Sequence, residues 1–392
     1  MASADYDVAI LGAGLVGMAL AVALTRQGLG VALLERSALA AFDGPVGAED
    51  WDQRVYAVSP GSAEFLRGLG AWQRLATDRI AAIEVMDVHG DSEGAITFSA
   101  YELGERALAW IVENRALAAA LVEVVRTTAH LDVLAPCEPK TVAWSADAAR
   151  VTLADGRTFC TRLVVGADGV RSWVRREAGI AREPRSYGQT AIVANFATER
   201  AHRGRAFQWF VEGAGVLAWL PLPGRRISIV WSAPDVLAQE LVALDTAALS
   251  ARVAVAGGRA LGELTLITPP ATFPLSFLRL RSVVEHRLAL VGDAAHGVHP
   301  LAGQGVNLGF GDAATLAAVL DARGPVADAG APILLERYAR KRALPVLSMQ
   351  IVTDGLVRLF GAPGLRLLRN RGMHVVGRLA TVRRLLAQPA LR

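Results

Sequence analysis

Tyr6-Asp7-Val8-Ala9-Ile10-Leu11-Gly12-Ala13-Gly14-Leu15-Val16-Gly17 is the stretch that decides the fold. Tyr6 to Leu11 reads as a short buried strand, and a G-x-G-x-x-G loop follows at once. Met18 to Gln27 then reads as a helix, Gly28-Leu29-Gly30 turns the chain, and Val31 to Leu34 is a second buried strand ending at Glu35. The glycines allow a tight turn and let a pyrophosphate lie against the helix amino terminus, where free N–H groups and the helix dipole favour anions. Glu35 falls where a carboxylate accepts both hydrogen bonds of a ribose diol, and it would repel a 2′-phosphate. This βαβ unit predicts a dinucleotide site; alone it leaves FAD and NAD equally open.

Outward from that unit, the composition narrows the class. The 392 residues are 53% hydrophobic and 20% charged, with 41 Lys+Arg against 37 Asp+Glu, which excludes intrinsic disorder. Such a length implies two domains, or one large one with an insertion. Cys137 and Cys160 are the only cysteines, so a disulfide scaffold and a cysteine metal site are excluded and a reducing compartment fits. Met1 to Tyr6 predicts no targeting segment, and glycines and Arg26 interrupt the apolar run from Val8 to Leu34, so no span is expected there. The expected location is cytoplasmic. Lysine occurs only at Lys140 and Lys341; the arginine excess fits either codon bias or attraction to anionic groups.

Two later motifs repeat the theme of a strand ending in a glycine–acid turn. Leu163-Val164-Val165-Gly166-Ala167-Asp168-Gly169-Val170-Arg171-Ser172 ends a strand and starts a helix that Ser172 can cap. Leu288-Ala289-Leu290-Val291-Gly292-Asp293 places an acid at a strand's carboxyl end, where ligands sit in open α/β sheets. After it, His299-Pro300-Leu301-Ala302-Gly303-Gln304-Gly305-Val306-Asn307-Leu308-Gly309 opens a long helix over roughly 306–322.

These three motifs, in this order and spacing, resemble those of the single-component flavoprotein aromatic hydroxylases (class A flavin monooxygenases). The run His299 to Gly309 is most similar to the ubiquinone-biosynthesis hydroxylases (UbiH-like). Asp52 to Ser59 with Leu69-Gly70-Ala71-Trp72, Val112 to Leu117, and Leu220-Pro221-Leu222-Pro223 with Val230-Trp231 agree with that group, so the resemblance runs from about Tyr6 to Phe360.

The resemblance implies an α/β fold: a discontinuous Rossmann-like FAD-binding domain (1–75, 101–180 and 278–335), an inserted, mainly antiparallel β-sheet substrate domain (76–100 and 181–277) and a helical, basic carboxyl-terminal tail (336–392). It implies that Gly12, Gly14 and Gly17 hold the FAD pyrophosphate, with Glu35 and Arg36 at the adenosine end. Arg54 and Arg115 would reach the flavin side, Asp168 and Gly169 would serve FAD and NAD(P)H binding, and Gly292 and Asp293 would hold the ribityl chain or pyrophosphate. Pro300, Gly303, Gln304, Gly305, Val306 and Asn307 would line the isoalloxazine ring, their N–H groups stabilising negative charge on reduced flavin. His299, Pro300, Gly303 and Gln304 are the catalytic candidates. NAD(P)H would reduce FAD, O2 would add to give a C4a-hydroperoxide, and the aromatic ring of a polyprenylated phenol or benzoquinone precursor of ubiquinone would be hydroxylated. The alternatives are a hydroxylase of a small soluble aromatic compound, an FAD-dependent isoprenoid reductase and a non-catalytic FAD-holding member of a biosynthetic complex.

His296 and His299 read as loop hydrogen-bonders ahead of a proton-transfer role, and no third ligand supports a metal. Asp312 and Glu113 read as helix-surface charges. Runs at Thr190–Phe196, Phe207–Val211, Val216–Leu220 and Arg226–Trp231 predict an antiparallel sheet, half buried, whose free face roofs a pocket. Trp209, Phe210, Trp219, Trp231, Phe273 and Phe277 are wall candidates jointly, while each taken singly reads first as core. From Glu336 onward twelve Arg or Lys residues face two acids, between apolar stretches judged too short to span a bilayer. The tail therefore reads either as a basic surface binder of anionic membrane, peripheral on the inner face beside other ubiquinone-biosynthesis proteins, or as a solvated arginine face. A nucleic-acid role is excluded, having only the arginine count behind it.

Overall fold

A computed structural model describes residues 4–39, 47, 50–180, 183–303, 305–324, 328–379, 382–384, 388 and 391. Tyr6–Leu11 pairs in parallel with Val31–Leu34 on one side and with Thr158–Gly166 on the other. Leu288–Leu290 and Leu131–Leu134 extend this sheet in parallel at either side. Val8 to Leu11 and Val31 to Leu34 are buried at every position, which is why they read as unbroken apolar runs rather than alternating ones. The first helix, Leu15–Arg26, packs its buried Met18 to Leu24 on this sheet. It begins three residues before the expected Met18 because Leu15 to Gly17 already belong to its first turn, with Gly14 as N-cap. Ser172 caps Trp173–Glu177 through a hydrogen bond from the Arg175 N–H, as its position predicts.

The second layer is a nine-stranded sheet built on Arg185–Thr198, Arg205–Val211, Gly215–Leu222, Arg226–Pro234 and Ala271–Arg279. Val85–His89 and Ala95–Ser99 join its edge, and Val85–His89 pairs in parallel with Arg205–Val211 in an otherwise antiparallel ladder. The expected half-buried alternation is present at Arg205–Val211, whereas the central strand departs from it, with Ala191 to Phe196 buried without a gap. One face packs on the helices Asp235–Ala243 and Thr246–Ala256 through Leu241, Leu249 and Val253. The opposite face turns inward towards the dinucleotide-binding layer. A small sheet of Val55–Val58, Ala81–Ile83 and Ala109–Glu113 stands between the two layers.

The chain then runs through Gly305–Asp321 and a 30-residue helix, Pro332–Gly361, followed by Arg366–Arg378. Pro332–Gly361 continues through Pro345 and is long and apolar enough to cross a membrane by length and composition, which corrects the expectation that no stretch here qualifies. Glu336, Arg337, Arg340, Lys341 and Arg342 cluster in its amino-terminal part, and only Asp354 and Arg358 fall between Ala343 and Gly361. Some of its polar groups are spent on protein: the Gln350 amide donates to Leu278 C=O at 2.7 Å, and Arg342 reaches Leu308 C=O at 2.9 Å.

Candidate functional site

The first glycine loop closes on the second motif. Gly12 sits at φ +111°, and a Cβ there would lie 2.5 Å from the Ala167 carbonyl oxygen. Gly14 is exposed, and a Cβ on it would meet nothing within 4 Å. The helix behind it starts with no side-chain cap, so its first N–H groups face the loop unclaimed. Gly12, Gly14, Glu35, Arg36, Ala167, Asp168 and Gly169 line a cleft of about 310 Å³. Glu35 Oε2 accepts the Ala13 N–H at 2.8 Å and Oε1 the Arg36 N–H at 2.9 Å, so the carboxylate is fixed at the cleft's rim. Asp168 Oδ2 accepts from the Trp173 and Val174 N–H groups at 2.7 and 3.0 Å, while Oδ1 is buried without a partner. A dinucleotide fits this cradle: an uncapped helix end for a pyrophosphate, a fixed acid for a ribose and a buried oxygen still lacking a donor.

The third motif continues the line. A Cβ on Gly309 would lie 2.5 Å from Val16 of the first helix and one on Gly292 in contact with it at 3.5 Å, so the turn at Gly292–Ala294 and the helix Gly305–Asp321 converge on the same helix end. Asp293 is exposed at that turn and close enough to Tyr56 to raise its phenol, although burial raises it more and Arg54 opposes both. Asn307 Nδ2 donates to Ala57 C=O at 2.8 Å and its Oδ1 accepts the Ser59 N–H at 3.0 Å. Its side chain is thereby occupied in pinning the helix to Val55–Val58. A Cβ on Gly303 would meet Ala57 Cβ at 3.2 Å. Arg54 is exposed, its guanidinium 5.1 Å from the Tyr56 ring centroid and 5.4 Å from that of Phe273. Arg115 stands apart, paired with Asp50 at 2.8 Å and with Glu113 at 3.7 Å. Pro300, Gly305 and Val306 lie on the turn and helix start; Gln304 lies outside the described residues.

Two residues read as surface charges are buried. Asp312 is 1% exposed, and its carboxylate accepts from His296 and Arg342, both at 2.6 Å, and from the Gly292 N–H at 2.8 Å. Burial alone would raise this carboxyl, but His296, Arg342 and the Gly292 N–H outweigh it and hold it below the ordinary carboxylate range. Glu113 is 2% exposed and forms a bidentate pair with Arg79 at 2.9 Å, while also accepting the Asp52 N–H. Their partners stand 30 and 34 residues away, a distance at which sequence gives no pairing signal.

His296 lies on the short strand His296–Gly297 and hydrogen-bonds the buried Asp312 carboxylate through Nε2 at 2.6 Å. His299 is fully buried, its Nε2 hydrogen-bonded to Gln189 Oε1 at 2.9 Å and its Nδ1 without a partner. Burial lowers its pKa to about 4, so the imidazole is neutral near pH 7. Tyr187 lies edge-on to it with ring centroids 5.1 Å apart. Among the described residues no group of three or more His, Cys, Asp or Glu side chains could hold a metal ion.

The aromatic candidates separate by sheet face. Trp219 and Trp231 face the covering helices and are core. Phe210 lies on the inward face, stacked on Phe360 at 3.6 Å and packed with Leu301 and Val216. Phe273 pairs with Ala191, which places it on that same face. Trp209 stacks on Phe207 and His89, and Phe277 meets Tyr187 edge-on. The inward face also carries Asn195 Oδ1, Gln208 Oε1 and Ser228 Oγ, all buried and unpartnered. Sequence reading missed these three, along with Arg342; the two-residue period of the strands was the available signal for the former.

An uncapped glycine helix, a fixed ribose-type acid and an inserted sheet facing the far end of the line define a dinucleotide-dependent oxidoreductase. Residues 5–350 match the family model described as FAD binding domain. A ubiquinone hydroxylase, UbiL, of Rhodospirillum rubrum is 38% identical over 98% of this chain and 89% of its own length. The 3-demethoxyubiquinol 3-hydroxylase of Escherichia coli is 32% identical, with both chains covered fully. The crystal structure of Pseudomonas aeruginosa PqsL with 2-aminobenzoylacetate superposes with a TM-score of 0.77 at 26% identity, covering 94% of this chain and 99% of that one. The chain belongs to the FAD-dependent monooxygenases of the FAD-binding-domain family, in the group that contains the ubiquinone hydroxylases.

Proposed function

We propose that this enzyme hydroxylates the aromatic ring of a polyprenylated phenol or benzoquinone precursor of ubiquinone, at the inner face of a membrane and beside other enzymes of that synthesis. FAD, reduced by NAD(P)H, supplies the oxygen-activating chemistry. The chain's residues supply binding, orientation and dryness. Gly12, Gly14, Gly17, Glu35 and Arg36 hold the adenosine half; Asp168, Gly169, Gly292 and Asp293 follow the pyrophosphate and ribityl chain. Arg54 and the start of Gly305–Asp321 face the ring end, where helix N–H groups favour negative charge. His299 offers a neutral, unpartnered Nδ1 in a dry setting beside that turn. We assign 1–75, 101–180 and 278–335 to FAD and 76–100 and 181–277 to substrate; the parallel sheet in the first set and the nine-stranded sheet in the second support that division.

The observation that carries the substrate reading is the inward sheet face. It is apolar around Phe210, Val216 and Leu301 and holds three buried polar oxygens, Asn195 Oδ1, Gln208 Oε1 and Ser228 Oγ. An apolar site with a few convergent polar groups suits a phenolic ring on a hydrocarbon chain. The test is NADPH oxidation by the purified holoenzyme with a polyprenylphenol in detergent and with a small soluble phenol. Stimulation and hydroxylated product with the former support the reading; turnover of the soluble phenol alone overturns it.

A further inference from the structure

A second cleft lies on the far side of the His296 segment, between the turn at Arg279–Val283 and the helix Pro332–Gly361. It has a volume of about 370 Å³. Arg279, Arg281, Arg340 and Arg342 all line it, together with Leu280, Val346 and Leu347. Arg342 is committed to Asp312, the one carboxylate in the lining, which His296 also holds. Arg279, Arg281 and Arg340 are exposed and have no ion-pair, hydrogen-bond or ring partner among the described residues. Three guanidinium groups from two separate elements thus converge on one concave space with no free acid to neutralise them.

Arginine forks match phosphate oxygens geometrically, and convergence in a cleft raises the local field well above that of scattered surface charges. The same helix exposes Leu344, Ile351 and Val352 at 72%, 61% and 48%. A phosphate in the cleft would therefore have an apolar ridge at its side, an arrangement suited to an anion attached to hydrocarbon.

We propose that this arginine cleft is a binding site for a phosphate group, carried either by an anionic phospholipid headgroup or by a soluble phosphate. The inference deepens the membrane-surface part of the proposed function and involves none of the FAD-binding residues.

The test uses the FAD-loaded full chain and the R279Q/R281Q/R340Q variant, with R252Q/R371Q/R378Q, three exposed arginines outside the cleft, as a charge-matched control. One arm measures co-sedimentation with phosphatidylglycerol vesicles against phosphatidylcholine vesicles; the other measures pyrophosphate binding by calorimetry. The expected result is binding in at least one arm that falls about a hundredfold in the cleft variant and less than threefold in the control. Loss confined to vesicles identifies the lipid source, and loss in the pyrophosphate arm identifies a soluble one. Equal binding by wild type and cleft variant in both arms, equal losses in both variants, or no binding in either arm overturns the site. Flavin absorbance and polyprenylphenol hydroxylation in detergent are read in parallel, so a failed cleft and a failed hydroxylase are told apart.

Discussion

His296 Nε2 lies 2.6 Å from Asp312 Oδ2, and both residues are almost fully buried. The pair ties the segment after Asp293 to the helix that presents the ring end of the line, and Arg342 extends the tie to the long terminal helix. Replacing Asp312 by Asn leaves Arg342 buried without its counter-charge, so about 3–5 kcal/mol of stability should be lost. Urea unfolding of the holoprotein measures this. A loss below about 1 kcal/mol would mean that the network is not structural.

His299 gives the protein an acid sensitivity. Its folded pKa of about 4 lies below the ordinary 6.5, so the unfolded state takes up a proton first as pH falls. Stability from this group is complete above about pH 6.5, falls through the interval to pH 4, and is level below it, a total of about 3 kcal/mol. Melting temperatures at pH 7 and pH 5 should differ for the wild type and differ less for His299→Gln.

Gly12 and Gly14 should fail in different ways. Gly12→Ala drives a methyl group into Ala167 at a positive φ and should destabilise the fold. Gly14→Ala has open space in front of it, so the apoprotein should melt normally while FAD affinity drops about tenfold or more, because the methyl occupies the pyrophosphate's place. Circular dichroism and flavin fluorescence titration separate the two effects.

Glu35 is held at the cleft rim by the Ala13 and Arg36 N–H groups. Glu35→Gln keeps the volume but removes one of the two oxygens that accept the Ala13 and Arg36 N–H groups and weakens charge-assisted bonds to a ribose diol, which predicts FAD binding about ten- to a hundredfold weaker. Unchanged affinity would place the ribose elsewhere.

Gln208 carries an unpartnered buried oxygen on the inward sheet face. Gln208→Leu should raise KM for the phenolic substrate about tenfold while leaving FAD content unchanged, since only a substrate contact is lost. A change in kcat alone would point to indirect packing instead.

The dinucleotide layer was legible because each of its signals is local: strand, glycines, helix and acid lie within thirty residues of one another, from Tyr6 to Glu35. The inserted sheet was legible as strands, but its facing was not. Which side Trp219 and Trp231 occupy depends on Asp235–Ala243 and Thr246–Ala256, two helices whose apolar residues lie within otherwise unmarked sequence. Asp312 and Glu113 looked like surface charges because Arg342 and Arg79, which make their burial tolerable, are brought in by tertiary structure. Arg115 matched a motif yet spends its guanidinium on Asp50 and Glu113.

The central claim is the transfer of one oxygen atom to a ring carried on a polyprenyl chain. Its most direct measurement is turnover of the holoenzyme with NADPH, a polyprenylphenol and ¹⁸O2, followed by mass spectrometry of the product. The account predicts one labelled hydroxyl per ring, with NADPH consumption coupled to its formation. A product reduced rather than oxygenated, or an oxygen drawn from water, would contradict it.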